Sequence, residues 1–382
     1  MNVPKIRFET FTEEWRKTSV GQVAHIIGGG TPSTSNIHYW GGDIQWFTPS
    51  EVGHCKYVNK SERTISELGL NESSAKLLPA NSILLSSRAT IGEMSINTCE
   101  CATNQGFQSL VPYNADLEFL FYIMHTKKND LIRESNGSTF LEISANKVRS
   151  LGLVVPKRNE QEKIGLFLKN LDSSIETLSK KITSLKQTKQ ACLQQMFPAE
   201  GETTPRVRFK GFEGEWGKSQ FGDILSYERP DEYIVKSDKY SDEYTTPVLT
   251  ANKGFILGYT NEQRTYNSPC IIFDDFTLDC KYVDFPFMVK SSALKILTVS
   301  DVEKYNLYFS YYLLSSTKIE ILGHARHYIS VVQPTSVLIP SLAEQQQIAA
   351  FFSNMDKQIR IQEQRLEKLK RIKTACLENM FV

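Results

Sequence analysis

No run of 18 apolar residues occurs in the 382-residue sequence, so an ordinary membrane-spanning helix is excluded. The opening Met1-Asn2-Val3-Pro4-Lys5-Ile6-Arg7 also lacks the apolar stretch of a secretory signal, and the expectation is a cytoplasmic protein. Cysteine is sparse and badly spaced for structural chemistry. Cys55, Cys99, Cys101, Cys192, Cys270, Cys280 and Cys376 include no Cys-x-x-Cys pair, and their odd number argues against a disulfide framework or a zinc knuckle. Cys99-x-Cys101 leaves two readings open: part of a metal site shared with a distant histidine, or two inert thiols on one face of a strand. Excess charge is missing too, with a net value of +1. Residues 1–155 carry 14 basic and 15 acidic groups and residues 201–339 carry 15 and 18. The segments 156–200 and 340–382 are basic, by 8 to 5 and by 7 to 5. Composition therefore offers no broad cationic surface. Any contact with a polyanion must come from a local patch or from a partner that neutralises much of the phosphate charge.

Catalytic signatures are missing as well. Gly217-Lys218-Ser219 invites a phosphate-loop reading, but Phe212 stands where that motif needs its first glycine, and a turn after Trp216 is the expectation. Gly28-Gly29-Gly30 lacks the glycine spacing and following helix of a dinucleotide or methyl-donor loop. No Asp/Asn-Pro-Pro-Tyr/Phe run is present to hold a flipped adenine. Asp274-Asp275, near Asp279 and Lys281, allows a metal reading beside a solvated turn or a base contact. No nucleophile elbow or paired-carboxylate constellation occurs, and the chain reads as non-enzymatic.

What the sequence has is a repeat, and repeats are read before local structure. Pro4-Lys5-Ile6-Arg7-Phe8, Phe11, Glu14-Trp15, Lys17 and Gly21 return as Pro205-Arg206-Val207-Arg208-Phe209, Phe212, Glu215-Trp216, Lys218 and Gly222, a shift of 201 residues. A second block returns at a shift of 184, with 16 of 42 positions identical between 156–197 and 340–381. It includes Pro156, Glu160-Gln161, Asp172, Lys189, Cys192 and Met196-Phe197, matched by Pro340, Glu344-Gln345, Asp356, Lys373, Cys376 and Met380-Phe381. Between the markers the two copies differ in length by 17 residues and share almost nothing. Equal scaffolds carrying unequal inserts imply one job done twice on different targets.

The shared block predicts a long helix. Ile164, Leu168, Leu171, Ile175, Leu178, Ile182, Leu185, Lys189, Cys192 and Met196 alternate by four and three, as a coiled-coil seam does. Ile348, Phe352, Met355, Ile359, Gln362, Leu366, Leu369, Lys373, Cys376 and Met380 repeat that register. Pro156 and Pro340 precede the helices, Ser341-x-x-Glu344 has the form of a capping box, and Pro198 ends the first. The seam lysines either fix register or lift their charge to solvent. The inserts read as mixed and strand-rich. Residues 82–96 and 268–274 are short apolar runs between turn formers, 117–133 and 303–322 have helical spacing, and Gly28-Gly29-Gly30-Thr31-Pro32-Ser33 is a loop.

At this point the chain resembles the specificity subunits of type I restriction–modification enzymes. The resemblance rests on Gly29-Gly30-Thr31-Pro32-Ser33, Tyr39-Trp40-Gly41-Gly42-Asp43-Ile44 and Trp46-Phe47-Thr48-Pro49. Leu85-Ser86-Ser87-Arg88-Ala89-Thr90-Ile91-Gly92, Ala102-Thr103-Asn104-Gln105-Gly106-Phe107 and the Pro-x3-Glu-Gln-x2-Ile opening of each helix complete it. It implies an α+β fold in which two mixed α/β target-recognition domains, 1–155 and 199–339, are joined by two long conserved helices, 156–198 and 340–382. The helices are expected to pack as an antiparallel coiled coil with pseudo-two-fold symmetry. The resemblance also implies double-stranded DNA, two methyltransferase subunits and two restriction (motor–nuclease) subunits as partners. S-adenosylmethionine belongs to the methyltransferases, ATP and Mg to the motor–nucleases, and no cofactor to this chain. Each domain would read one half of an asymmetric, bipartite site.

Short polar loops offering hydroxyl, amide and guanidinium groups suit base edges in the major groove. The candidates are Thr31, Ser33, Ser87, Arg88, Thr90, Asn104 and Gln105 in the first block, with Arg88 for guanine and Asn104 or Gln105 for adenine. In the second they are Thr250, Asn252, Lys253, Lys281, His324, Arg326 and His327. The second block lacks Gly-Gly-Thr-Pro and carries Phe273-Asp274-Asp275-Phe276-Thr277 instead. Three rival readings stand beside this one: a stand-alone glycan or peptide binder, a Mg-dependent enzyme using Asp274-Asp275, and a silent specificity cassette.

Overall fold

Apolar residues four and three apart form two long helices, Arg158–Met196 and Leu342–Asn379. At 1.5 Å per residue the first is about 58 Å long. Every seam position in both is buried or half-buried, whereas Glu176, Thr177, Lys180, Lys181, Lys368 and Arg371 on the other faces are exposed. The computed structural model describes residues 2–137, 141–251, 254–319 and 327–382. The fold is α+β, and the chain divides into two units, Met1–Ser179 with Gln364–Val382, and Lys180–Glu363. Each unit thus owns a stretch of both helices. The sequence divided the chain into recognition domains and separate helices instead.

In the first unit, the apolar run at 82–96 becomes strands Ile83–Leu85 and Met94–Asn97 of a five-stranded sheet. Its order is Ala24–Gly28, Gln108–Pro112, Ile83–Leu85, Met94–Asn97, Tyr57–Val58. A three-stranded sheet places Trp40–Phe47 between Arg63–Ile65 and Cys101–Thr103. Helix Leu117–Thr126, capped by the Asp116 carboxylate on the Phe119 N–H, buries Phe119 through Met124. The 117–133 pattern breaks at Lys127, and a second helix, Lys128–Arg133, follows. Ile164 and Leu168 lie in the same core as Phe119, Cys376, Met380 and Phe381.

The second unit repeats this plan with different strands. Its four-stranded sheet runs Leu225–Glu228, Leu294–Val299, Cys270–Asp274, Cys280–Val283, and a three-stranded sheet runs Ile256–Thr260, Thr246–Leu249, Met288–Val289. Helix Leu307–Ser316, capped by Asn306, begins later than the 303–322 pattern implied. Met196 and Phe197 share a core with Phe309, Ile348 and Phe352.

Two local expectations are corrected. Gly217-Lys218-Ser219 lies in a strand, Gly217–Gln220, paired antiparallel with Ser336–Ile339. Its repeat counterpart Arg16–Ser19 pairs with Gly152–Val155 in the same manner, so neither a phosphate loop nor a turn forms. The capping-box carboxylate of Glu344 accepts from Arg208 on both oxygens. Two parallel bonds from a guanidinium outweigh a single backbone N–H on the same carboxylate.

Candidate nucleic-acid interface

In the first unit the sequence motifs that stood apart converge on one end of the two sheets. The loop after strand Ala24–Gly28 is drawn in by Gly30, whose N–H donates to the Thr103 carbonyl at 2.8 Å. Its carbonyl accepts from the Trp46 indole at 2.9 Å. A Cβ on Gly29 would sit 2.0 Å from the Asn104 carbonyl oxygen, and one on Gly30 would sit 2.3 Å from Ser74. Only glycine tolerates so close a backbone approach. That is why the doubled glycine precedes Thr31-Pro32-Ser33.

Thr31 donates its hydroxyl to the Gln105 side-chain oxygen, so the two candidates meet across the loops. Asn104 folds its side-chain oxygen onto the Gly106 N–H at 2.8 Å, an Asx turn that leaves Gln105 exposed at the tip. Ser87 bridges the next two segments. Its N–H donates to the Gly106 carbonyl at 2.7 Å, and its carbonyl accepts from the Ile143 N–H at 3.1 Å. Arg88 then projects from the turn and meets Glu142 at 2.8 Å. Both side chains are nearly half exposed, so the pair contributes about 0–1 kcal/mol and its guanidinium exchanges readily for another acceptor. Ala89 holds φ at 58°, a left-handed backbone that costs a non-glycine residue about 1–3 kcal/mol. Strain and an exposed arginine therefore coincide in one tight turn. Thr90 is exposed and shares its hydroxyl with Ser86 at 3.0 Å, and Ser33 is exposed with its hydroxyl against Ser35 at 2.8 Å.

Ser87 is the exception. Its side chain is fully buried and offers nothing to a duplex. In the second unit Thr250 and His327 are buried as well. The His327 N–H donates to Asp275, and its ring faces the Asp275 carbonyl, so the histidine ties two segments together instead of facing outward. Lys281 is half-exposed beside Asp279 at 3.0 Å and lies over the Phe255 ring. Asn252, Lys253, His324 and Arg326 lie outside the described residues.

The acidic pair is neither a solvated turn nor a base contact. Asp274 accepts from the Phe276 N–H and the Thr277 hydroxyl, and Asp275 accepts from the His327 and Tyr328 N–H groups. Both are buried, and Asp275 sits 3.6 Å from the buried Lys295 ammonium. Among the described residues no group of three or more His, Cys, Asp or Glu is placed to hold a metal ion. Cys101 is buried in a strand and Cys99 precedes it, and burial pushes the Cys101 thiol up to about 12.

The scaffold contacts recur where the sequence repeats. Arg7 forks onto Glu160 at 2.7 and 2.8 Å, and Arg208 forks onto Glu344 at 2.7 Å on each oxygen. Gln161 donates to the Pro156 carbonyl and Gln345 to the Pro340 carbonyl, each at 2.9 Å. Lys373 meets Asp172 at 2.6 Å in the first unit, and Lys189 meets Asp356 at 2.5 Å in the second. Lys186 also meets Glu363, so residue numbers rise on one helix as they fall on the other and the pairing is antiparallel. The sequence exposed these residues as repeats but did not show which would meet. Among the described residues no helix is long and apolar enough to cross a membrane.

The chain is similar to known proteins over most of its length. The family pattern described as "Type I restriction modification DNA specificity domain" matches twice, over residues 12–187 and 213–371. The chain is 26% identical to the type I restriction enzyme MjaIX specificity subunit of Methanocaldococcus jannaschii, over 96% of this chain and 93% of that one. It is 46% identical to the EcoR124I/EcoR124II specificity subunit of Escherichia coli over 136 residues, 34% of this chain and 33% of that one. The S subunit of a type I system from M. genitalium shares the fold with a TM-score of 0.71 at 16% identity, covering 100% of this chain and 99% of that one. With two matched domains spanning most of its length, the chain belongs to the type I restriction–modification DNA-specificity family, as a non-catalytic specificity subunit with two DNA-recognition domains.

Proposed function

We propose that each recognition domain reads one half of an asymmetric, bipartite DNA site, while the paired helices dock two methyltransferase subunits for adenine methylation. Two restriction (motor–nuclease) subunits join the same assembly for cleavage. S-adenosylmethionine is held by the methyltransferases and ATP with Mg by the motor–nucleases, and the complex works in the cytoplasm. The observation that carries this reading is the repeated set of fork and lysine–aspartate contacts around two blocks that share no loop chemistry. Like scaffolds hold like partners; unlike loops read unlike sequences. Thr31, Ser33, Arg88, Thr90, Asn104 and Gln105 are the base-reading set of the first domain, and Lys281 contributes to the second. The slightly acidic balance of both blocks fits a duplex enclosed partly by basic surface from the methyltransferases.

Footprinting tests this on the chain purified together with its methyltransferase. The expected pattern is two protected half-sites of different sequence separated by an unread spacer. A single continuous footprint, or sequence-independent protection, counts against the reading.

A further inference from the structure

Arg63 was not among the residues that the sequence singled out. It lies on strand Arg63–Ile65, opposite Trp46 in the register of the three-stranded sheet. Its guanidinium carbon sits 3.6 Å over the Trp40 ring, close enough for the planar group to rest on the indole. The Trp40 indole donates to the Ser33 carbonyl at 3.1 Å and packs edge-on against Trp46 at 5.0 Å. Trp46 in turn holds the Gly30 carbonyl. Two indoles therefore fix the Gly29–Ser33 loop, and the outer one carries a cation.

That cation is uncompensated. Among the described residues the Arg63 guanidinium makes no ion pair, unlike Arg88 with Glu142 or Lys128 with Glu93. Glu51, at the end of the short helix Pro49–Glu51, spends its carboxylate on the Thr48 and Glu62 N–H groups, at 2.7 Å each. The stack covers one face of the guanidinium and leaves its edge of N–H donors exposed in a fixed plane, the arrangement that binds a tetrahedral oxyanion bidentately. A residue laid flat on a sheet does not project into a groove about 8.5 Å deep, which a base contact requires.

We infer that Arg63 is a DNA backbone contact, a guanidinium shelf that clamps one phosphate beside the Gly29–Ser33 loop and sets the register of the base-reading residues. This rests on the proposed reading that the loop faces the duplex. The test uses the chain assembled with its methyltransferase and fluorescence anisotropy on cognate and unrelated duplexes between 50 and 200 mM salt. Arg63→Ala should weaken both duplexes alike, by about tenfold at the lowest salt. It should also flatten the slope of log K against log salt by about 1, with the methylated sequence unchanged. Arg63→Lys keeps the charge without the fork and should recover part of the affinity; Trp40→Phe should retain most of it, and Trp40→Ala should approach Arg63→Ala. An unchanged salt slope in Arg63→Ala overturns the inference, and so does a loss confined to one base position. Absence of site-specific binding by the unaltered complex would instead sink the proposed reading, and this inference with it.

Discussion

Lys373 donates to Asp172 at 2.6 Å, and the same contact recurs at the matching positions as Lys189 with Asp356. In each case the aspartate also accepts a tyrosine hydroxyl, from Tyr122 in the first unit and from Tyr308 and Tyr312 in the second. A lysine on an apolar seam thus does not escape to solvent. It meets a carboxylate that is already anchored, at one position per unit.

These half-buried pairs should couple by about 1 kcal/mol each. A double-mutant cycle of Lys373→Met and Asp172→Asn, followed by urea unfolding, measures this directly. The cycle of Lys189→Met and Asp356→Asn should give a coupling of the same sign and order, although Asp172 also lies 4.0 Å from Lys56 and Asp356 accepts from two tyrosines. Additive single mutants in either cycle would show that the pairs are incidental.

The forked pairs are buried more deeply, and their loss should cost more. Arg7→Ala or Arg208→Ala strands a carboxylate in the core, at about 3–5 kcal/mol. Trp15 still donates to Glu160 at 3.3 Å, whereas the Trp216 indole N–H has no acceptor among the described residues. Arg208→Ala should therefore be the more damaging of the two. Glu160→Gln or Glu344→Gln should recover part of the loss in the matching variant, measured by thermal unfolding.

A charge placed on the seam should scale with burial. Ile182 and Ile359 are each 7% exposed, while Leu185 and Leu369 are half-buried. Glutamate at the isoleucines should abolish co-purification with a methyltransferase, and glutamate at the leucines should weaken it. Normal recovery of the Ile182→Glu complex would mean that the helices do not carry assembly.

The fold's large features were legible because they are written as repeats. The seam, the paired glutamate–glutamine openings and the unequal inserts are local patterns that survive without coordinates. The contacts between helices were not legible. A four–three seam fits parallel and antiparallel partners equally, so Lys373 gave no hint of Asp172. The burial of three candidate residues, Ser87, Thr250 and His327, was hidden for a related reason. Ser87 and His327 sit in polar stretches that read as loops, yet pairing with Gly106 and Asp275, far away in sequence, buries them. Arg63 escaped notice because its stack on Trp40 depends on strand register. The Gly29-Gly30 loop was readable because the need for glycine is itself local.

Arg88 and Glu142 separate reading from positioning. Arg88→Ala should relax one base position in the methylated sequence, with about 1–3 kcal/mol less discrimination there. Glu142→Gln frees the guanidinium and should change affinity while leaving the sequence the same. Adenine-methylation mapping distinguishes the two, and an identical, equally strict target in Arg88→Ala would remove Arg88 from the base-reading set.

The central claim is that two unlike readers act independently on one scaffold. Replacing residues 16–155 by the corresponding block of another specificity subunit, then sequencing methylated adenines in cells that carry the methyltransferase, tests it most directly. The account predicts a bipartite target in which one half changes while the other half and the spacing persist. A target that changes in both halves, or methylation that does not depend on this chain, would contradict it.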